Sequence, residues 1–216
     1  MEGSHLGHLV SIEQLTRPRI ERLLERAASL DETPMEAKRD RLRGRVVVSM
    51  FYEPSTRTRL SFESAALRLG AGVTGFADSK NTSAAKGETL EDSVRICAGY
   101  GDALVIRHSE SGSAARAAAV STVPVINAGD GANEHPTQTL VDLFTLWREH
   151  GRLDDLTIAF VGDLRFGRTV HSLIKALALF KGTRVFLVAP PALGMPDALQ
   201  HDAQARGVAI AHASNV

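Results

Sequence analysis

The stretch Arg45-Val46-Val47-Val48-Ser49-Met50-Phe51-Tyr52-Glu53-Pro54-Ser55-Thr56-Arg57-Thr58-Arg59-Leu60-Ser61-Phe62 decides the fold. Residues 45–51 are a short run rich in β-branched side chains and read as a strand. Glu53 and Pro54 make a turn, and a helical pattern then runs over 56–69 to Gly70, which stands where left-handed backbone ends a helix. Leu60, Ser64 and Leu67 form one row along that helix, and Phe62, Ala65, Ala66 and Leu69 form another, so the helix is expected to be broadly buried. Strand, turn and helix together make one unit of α/β architecture.

The same alternation continues on both sides. An opening helix is read from Thr16 as cap, with Pro18 in its first turn and Ile20, Leu23, Leu24 and Ala27 on one face. Further strands are expected at 73–77, 103–107 and 123–127, separated by helices at 89–100 and 113–120. A long helix over 136–150 closes at Gly151 and leads to strand 157–161, helix 168–180, strand 184–189, helix 196–206 and strand 208–212. The expected fold class is therefore α/β with two doubly wound parallel-sheet domains, the second incomplete at its C-terminal end. The expected divisions are residues 1–136, a connecting helix 137–150, and residues 151–216.

Composition narrows the function classes. With 25 basic and 25 acidic residues the formal charge is 25 − 25 = 0, which argues against a surface built for nucleic acid or anionic lipid. The 44% apolar and 23% charged fractions suit a soluble globular chain and exclude a disordered one. No run approaches the roughly 18 apolar residues of a membrane span, and Glu13 interrupts any secretory leader, so a cytoplasmic protein is expected. Cys97 is the single cysteine, so there is no internal disulfide and no cysteine zinc cluster. It falls in an apolar helical pattern with Leu90 and Val94 and reads as core. Arg outnumbers Lys by 20 to 5, an imbalance that proves nothing about a ligand by itself.

Chemistry concentrates where the quoted strand meets its helix. A helix N-terminus offers unpaired N–H groups and the positive end of the dipole, and here Ser55, Thr56 and Thr58 add hydroxyls and Arg57 a guanidinium. That is a compact oxyanion receptor without the glycines of a Walker or Rossmann loop. An isolated Ser-Thr-Arg segment is more often an ordinary helix cap with solvated arginines.

Three further segments change that balance: Ala128-Gly129-Asp130-Gly131-Ala132-Asn133-Glu134-His135-Pro136-Thr137-Gln138, then Gly162-Asp163-Leu164-Arg165-Phe166-Gly167-Arg168-Thr169-Val170-His171-Ser172, and Lys86-Gly87-Glu88-Thr89-Leu90. Together with the Ser-Thr-Arg-Thr-Arg turn, in this order, the chain resembles the catalytic chains of the aspartate transcarbamoylase family, within the wider aspartate/ornithine superfamily. The likeness runs from about residue 8 to 212. Thr137 and the Asp130-Gly131 lead-in favour the aspartate branch over the ornithine enzymes, which typically carry Cys at the position of Thr137.

The resemblance implies two substrates, carbamoyl phosphate and L-aspartate, giving N-carbamoyl-L-aspartate and phosphate in pyrimidine biosynthesis. By that resemblance Ser55, Thr56, Arg57 and Thr58 hold the phosphate, and Arg107, at a strand's C-terminal end, reaches phosphate and carbonyl. His135 stands before Pro136 at a helix start, where the dipole disfavours protonation, so a neutral ring can donate to the carbamoyl oxygen. Gln138, one turn on, can accept from the carbamoyl NH2. Ser83 and Lys86 are expected to reach the adjacent subunit's site in a homotrimer with shared sites, with Lys86 and Arg168 also serving aspartate. Asp163 and His171 are expected to orient a loop. No metal or cofactor is called for, since the histidines lack metal-ligand spacing and the amine attacks directly. Regulatory or inactive partner chains are compatible with the family. Family members continue beyond Val216, so the 216-residue chain alone is expected to be weakly active or inactive. The alternatives are a carbamoyltransferase for another amine and a non-catalytic carbamoyl-phosphate-binding paralogue.

Overall fold

Seven strands and eight helices alternate along residues 7–78, 80 and 82–213, the part of the chain that the computed structural model describes. In order they are α1 (Arg17–Glu32), α2 (Met35–Lys38), β1 (Val46–Phe51), α3 (Thr56–Arg68), β2 (Gly72–Phe76), α4 (Leu90–Ala98), β3 (Ala103–His108), α5 (Ser113–Val120), β4 (Val125–Asp130), α6 (Pro136–His150), β5 (Thr157–Val161), α7 (Arg168–Leu177), β6 (Arg184–Val188), α8 (Asp197–Ala205) and β7 (Ala209–Ala213). The chain divides into two compact units. The first holds the residues up to Ser11 with Ala28–Asn133; the second holds Ile12–Ala27 and the chain from Glu134 onward.

The first unit is built on a parallel sheet in the order β2-β1-β3-β4. Strand periodicity of two sends Val48, Met50, Leu104 and Ile106 to one face, where Leu90, Val94 and Ala98 of α4 and Ala117 of α5 cover them. Phe51, Val105 and Ala128 belong to a second cluster that takes in Phe62 of α3. Helices thus cover both faces, as a buried parallel sheet requires. The outer edge of β4 is closed by Leu9, whose N–H donates to Val125 and whose carbonyl accepts from Asn127. The second unit holds the parallel sheet β5-β6-β7. Its strands alternate: Val185 and Leu187 are buried, while Val161 and Phe186 are 59% and 40% exposed.

Several elements depart from expectation. Helix α3 is not broadly buried: Ala66 is its one buried residue, and Leu60 and Leu67 are 54% and 59% exposed. It packs on β1 and β2 along a single face, so only one apolar row is covered within the chain. The strand expected at 123–127 lies at Val125–Asp130, because Pro124 has no N–H to give the ladder and contributes only its carbonyl, to Leu104. The helix expected to start at Thr89 starts one residue later, with Thr89 Oγ1 accepting from the Asp92 N–H at 3.2 Å as a true cap. Cys97 is half-buried at the edge of the core rather than inside it, and burial pushes its thiol pKa up. The short helix α2 and the 3₁₀ turns Ile12–Gln14, Ser83–Lys86 and Pro191–Leu193 are too brief to leave a hydrophobic period.

Candidate active site

Parallel pairing of β1 with β3 sets Phe51 opposite Arg107, and the Tyr52 N–H then donates to the Arg107 carbonyl at 2.9 Å. The turn that follows β1 is therefore stitched to the C-terminal end of β3, where α/β sheets present ligands. Between β3 and β4 the register shifts: Ile106 pairs with Asn127, but His108 pairs with Asp130. Two residues of β4 thus oppose the single residue Arg107, an irregularity of the kind found beside functional sites. Arg107 Nη1 donates to the Ala128 carbonyl in this gap at 3.1 Å, and Nη2 pairs with Glu53 Oε1 at 2.5 Å. The side chain is 12% exposed, and its Nε is buried without any hydrogen-bond partner.

Ser55 occupies the N-cap of α3 with extended backbone, yet its side chain makes no capping bond. Its hydroxyl therefore does not serve the first-turn amides of α3. Thr56 and Arg57 are exposed and Thr58 is half-buried. Ser55 and Thr56 line a cleft of about 240 Å³ together with Pro54, Arg59, Leu60 and Ala77. Arg59 is held along the helix by Glu63 at 2.9 Å, and Glu63 also accepts from Ser49 at 3.0 Å. Ser83 and Lys86 are exposed and line a different cleft, of about 520 Å³, against Ser93 and Cys97 of α4.

Beyond β4 the polar groups are closed on each other. Asp130, 2% exposed, accepts from Asn127 Nδ2 at 3.0 Å, from the Gly112 N–H at 2.8 Å and from Asn133 Nδ2 at 3.1 Å. Asn127 Oδ1 accepts from the Gly129 N–H at 2.8 Å. Gly131 has φ +55°, and a Cβ there would lie 2.7 Å from the Ser109 carbonyl oxygen, so only glycine lets the two loops approach.

In the second unit, His135 is the N-cap of α6 and is 7% exposed, with Thr137 Oγ1 at 3.3 Å from its Nδ1. Its neighbour Glu134 is buried; it accepts from the Ile12 N–H at 2.7 Å and pairs with Lys175 at 3.3 Å. Burial alone would lower the Lys175 pKa, but Glu13 and Glu134 outweigh it and the net shift is upward. Gln138 Nε2 donates to Asp142 Oδ1 at 2.9 Å. Arg168, half-buried, opens α7 behind Gly167, where a Cβ would meet the Asp163 carbonyl oxygen at 2.5 Å. Asp163 Oδ1 accepts from the N–H groups of Arg165 and Phe166 at 3.1 and 2.9 Å, and His171 Nε2 lies 2.8 Å from the Leu164 carbonyl oxygen. These bonds shape the loop ahead of Arg168.

Within the first unit Arg107 is thus tied, through Tyr52 and Glu53, to the turn that leads to Ser55, though it does not line the cleft of Ser55 and Thr56, and Ser83 and Lys86 line a separate one. Glu53, Asp130 and Asp142, which bond to the candidate residues or hold the loop beside them, are not picked out by the sequence pattern. Glu53 registered only as part of a turn. Asp130 served only as a family marker, and the Gln138-to-Asp142 spacing of one helical turn was the signal that could have exposed Asp142. Among the described residues no group of three or more His, Cys, Asp or Glu could hold a metal ion, and no helix is long and apolar enough to cross a membrane.

Fold and site define an α/β protein with a guanidinium and a hydroxyl-bearing helix start at the C-terminal ends of parallel strands. The family model for the carbamoyl-phosphate-binding domain of aspartate/ornithine carbamoyltransferases matches residues 7–148. The aspartate carbamoyltransferase catalytic subunit of Chromobacterium violaceum is 52% identical over 201 residues, covering 93% of this chain and 65% of that one. The catalytic subunit of M. jannaschii aspartate transcarbamoylase superposes with a TM-score of 0.91 at 45% identity, over 97% of this chain and 69% of that one. Aspartate transcarbamoylase from Trypanosoma cruzi, solved with carbamoyl phosphate and aspartate, gives a TM-score of 0.85 at 41% identity, over 96% of this chain and 66% of that one. The chain belongs to the aspartate/ornithine carbamoyltransferase family. It spans about 65% of the length of the curated relatives it matches.

Proposed function

We propose that this chain binds carbamoyl phosphate and carries out carbamoyl transfer to L-aspartate, giving N-carbamoyl-L-aspartate and phosphate for pyrimidine biosynthesis. The observation that carries this reading is Arg107: a guanidinium with a buried, unpartnered Nε beside a helix start whose cap residue makes no capping bond. Such donors are costly to leave unmet, and a phosphate dianion would meet them. In this reading Ser55, Thr56, Arg57 and Thr58 hold the phosphate, and incoming phosphate displaces Glu53 from Arg107. His135 donates to the carbamoyl oxygen, with its ring kept neutral by the helix start, and Gln138 accepts from the NH2 group. The aspartate amine adds to the carbamoyl carbon, the bond from carbon to the phosphate oxygen breaks, and the leaving phosphate takes the proton from nitrogen. Lys86 and Arg168 receive the aspartate carboxylates.

As a functional division, residues 1–136 then form the carbamoyl-phosphate-binding domain, 137–150 a connecting helix and 151–216 part of an aspartate-binding domain; the compact units differ from it in grouping Ile12–Ala27 and the 137–150 helix with the C-terminal part. Ser83 and Lys86 serve a neighbouring subunit of a cytoplasmic homotrimer, which fits their exposure and their separate cleft. A monomer in sedimentation at assay concentration would overturn that part. The direct test offers carbamoyl phosphate with aspartate, ornithine or putrescine; weak turnover at most is expected of this chain, with product from aspartate alone. His135→Ala should lower turnover about 10²-fold while inhibition by phosphate stays within twofold. Parallel loss of both would remove His135 from its role. Binding of a carbamoyl phosphate analogue, with no gain from a phosphonate joined to aspartate and no turnover, would favour a non-catalytic binding protein.

A further inference from the structure

We propose that Asp142 is a positioning residue that makes the candidate site selective for an amide over a methyl ketone, by fixing which end of Gln138 is offered to the ligand. The inference rests on the reading of Gln138 above. A primary amide side chain has a donor end and an acceptor end of nearly equal size, and a half-turn exchanges them. An ionised carboxylate only accepts, so the contact at 2.9 Å between Gln138 and Asp142 commits the Nε2 end to Asp142. Oε1 is then the end left over, and an acceptor suits a carbamoyl NH2 but gains nothing from a methyl group.

A surface helix pair would make the same contact for stability alone, but the surroundings of Asp142 do not suit that role. Its carboxyl is half-buried, and burial raises its pKa. No lysine or arginine pairs with it among the described residues. Stripping water from a carboxylate in exchange for one neutral donor is a poor stabilising trade. Such a group is kept where its direction matters.

The test uses two stable probes of one shape, phosphonoacetamide and acetonylphosphonate, which present NH2 and CH3 at the same point. Titration calorimetry on the full chain should show phosphonoacetamide bound about tenfold more tightly. In Asp142→Asn the new amide can donate as well as accept, Gln138 is free to turn over, and the preference should fall to near unity. Affinity for acetonylphosphonate and for inorganic phosphate should stay within twofold. Asp142→Glu, which remains acceptor-only, should keep most of the preference. In Gln138→Met the preference should already be absent, and adding Asp142→Asn should change it no further. Asp142→Asn that keeps the tenfold preference, or weakens both probes equally, overturns the proposal. Wild-type protein that binds inorganic phosphate but does not distinguish the probes overturns it too, leaving the phosphate site intact. Wild-type protein that binds none of the three ligands overturns the carbamoyl phosphate reading and this inference with it.

Discussion

β1 and β4 end in the same parallel sheet, yet the segments that follow them treat their polar groups in opposite ways. After β4, the carboxylate of Asp130 is 2% exposed and saturated by Asn127, Gly112 and Asn133. After β1, Ser55 caps a helix without a capping bond, and Arg107 alongside keeps a buried Nε with no partner. One segment is finished without a ligand, the other is not. Because most buried polar groups are satisfied, the unfinished segment is, under the proposed function, where a ligand completes the structure, and the finished one holds it in place.

The contrast predicts where mutations should be felt. Asp130→Ala removes the shared acceptor of three donors in a closed pocket and should cost about 3–4 kcal/mol of stability, read as a fall in urea midpoint with the m-value unchanged. A loss below about 1 kcal/mol would mean that water replaces the carboxylate and that the segment is no rigid scaffold. Arg107→Ala should act the other way round. Phosphonoacetamide affinity should fall about 10²-fold, roughly 3 kcal/mol, while stability falls by only about 1 kcal/mol, because Glu53 is open enough to rehydrate. Stability falling more than affinity would make Arg107 part of the scaffold.

Sequence periodicity carried the sheet well, because the inner strands of a covered parallel sheet must be apolar whatever the function. Val46–Phe51 and Arg184–Val188, the inner strands β1 and β6, lie close to where their apolar runs put them. It failed where partners outside the local window decide the outcome. Leu60 and Leu67 look like core residues on α3 and are exposed, since periodicity reports which faces are apolar, not what covers them. The turn proposed to bind phosphate is legible because hydroxyls, a guanidinium and a helix start are contiguous in sequence. Glu53 on Arg107 was not: it joins residues 54 positions apart through β1–β3 pairing, the arithmetic being 107 − 53. Asp130 is half legible: Asn127 and Asn133 lie three residues either side of it, but the Gly112 N–H comes from a segment 18 residues away that no local motif connects.

The smallest effects separate two helix caps that look alike in sequence. Thr89 Oγ1 accepts from the Asp92 N–H at 3.2 Å, so Thr89→Ala should lose the usual ~1 kcal/mol of an N-cap while leaving phosphonoacetamide affinity within twofold. Ser55 makes no such bond, and Ser55→Ala should therefore cost less than about 0.5 kcal/mol in stability. If its hydroxyl serves the anion as proposed, the same substitution should weaken phosphonoacetamide binding about tenfold to a hundredfold, the worth of one hydrogen bond to a charged group. Paired urea and calorimetric titrations on both variants would thus cross over, one losing stability and the other affinity. If Ser55→Ala instead behaves like Thr89→Ala, the cap is structural, and the claim that the β1 segment is left unsatisfied for a ligand rests on Arg107 alone.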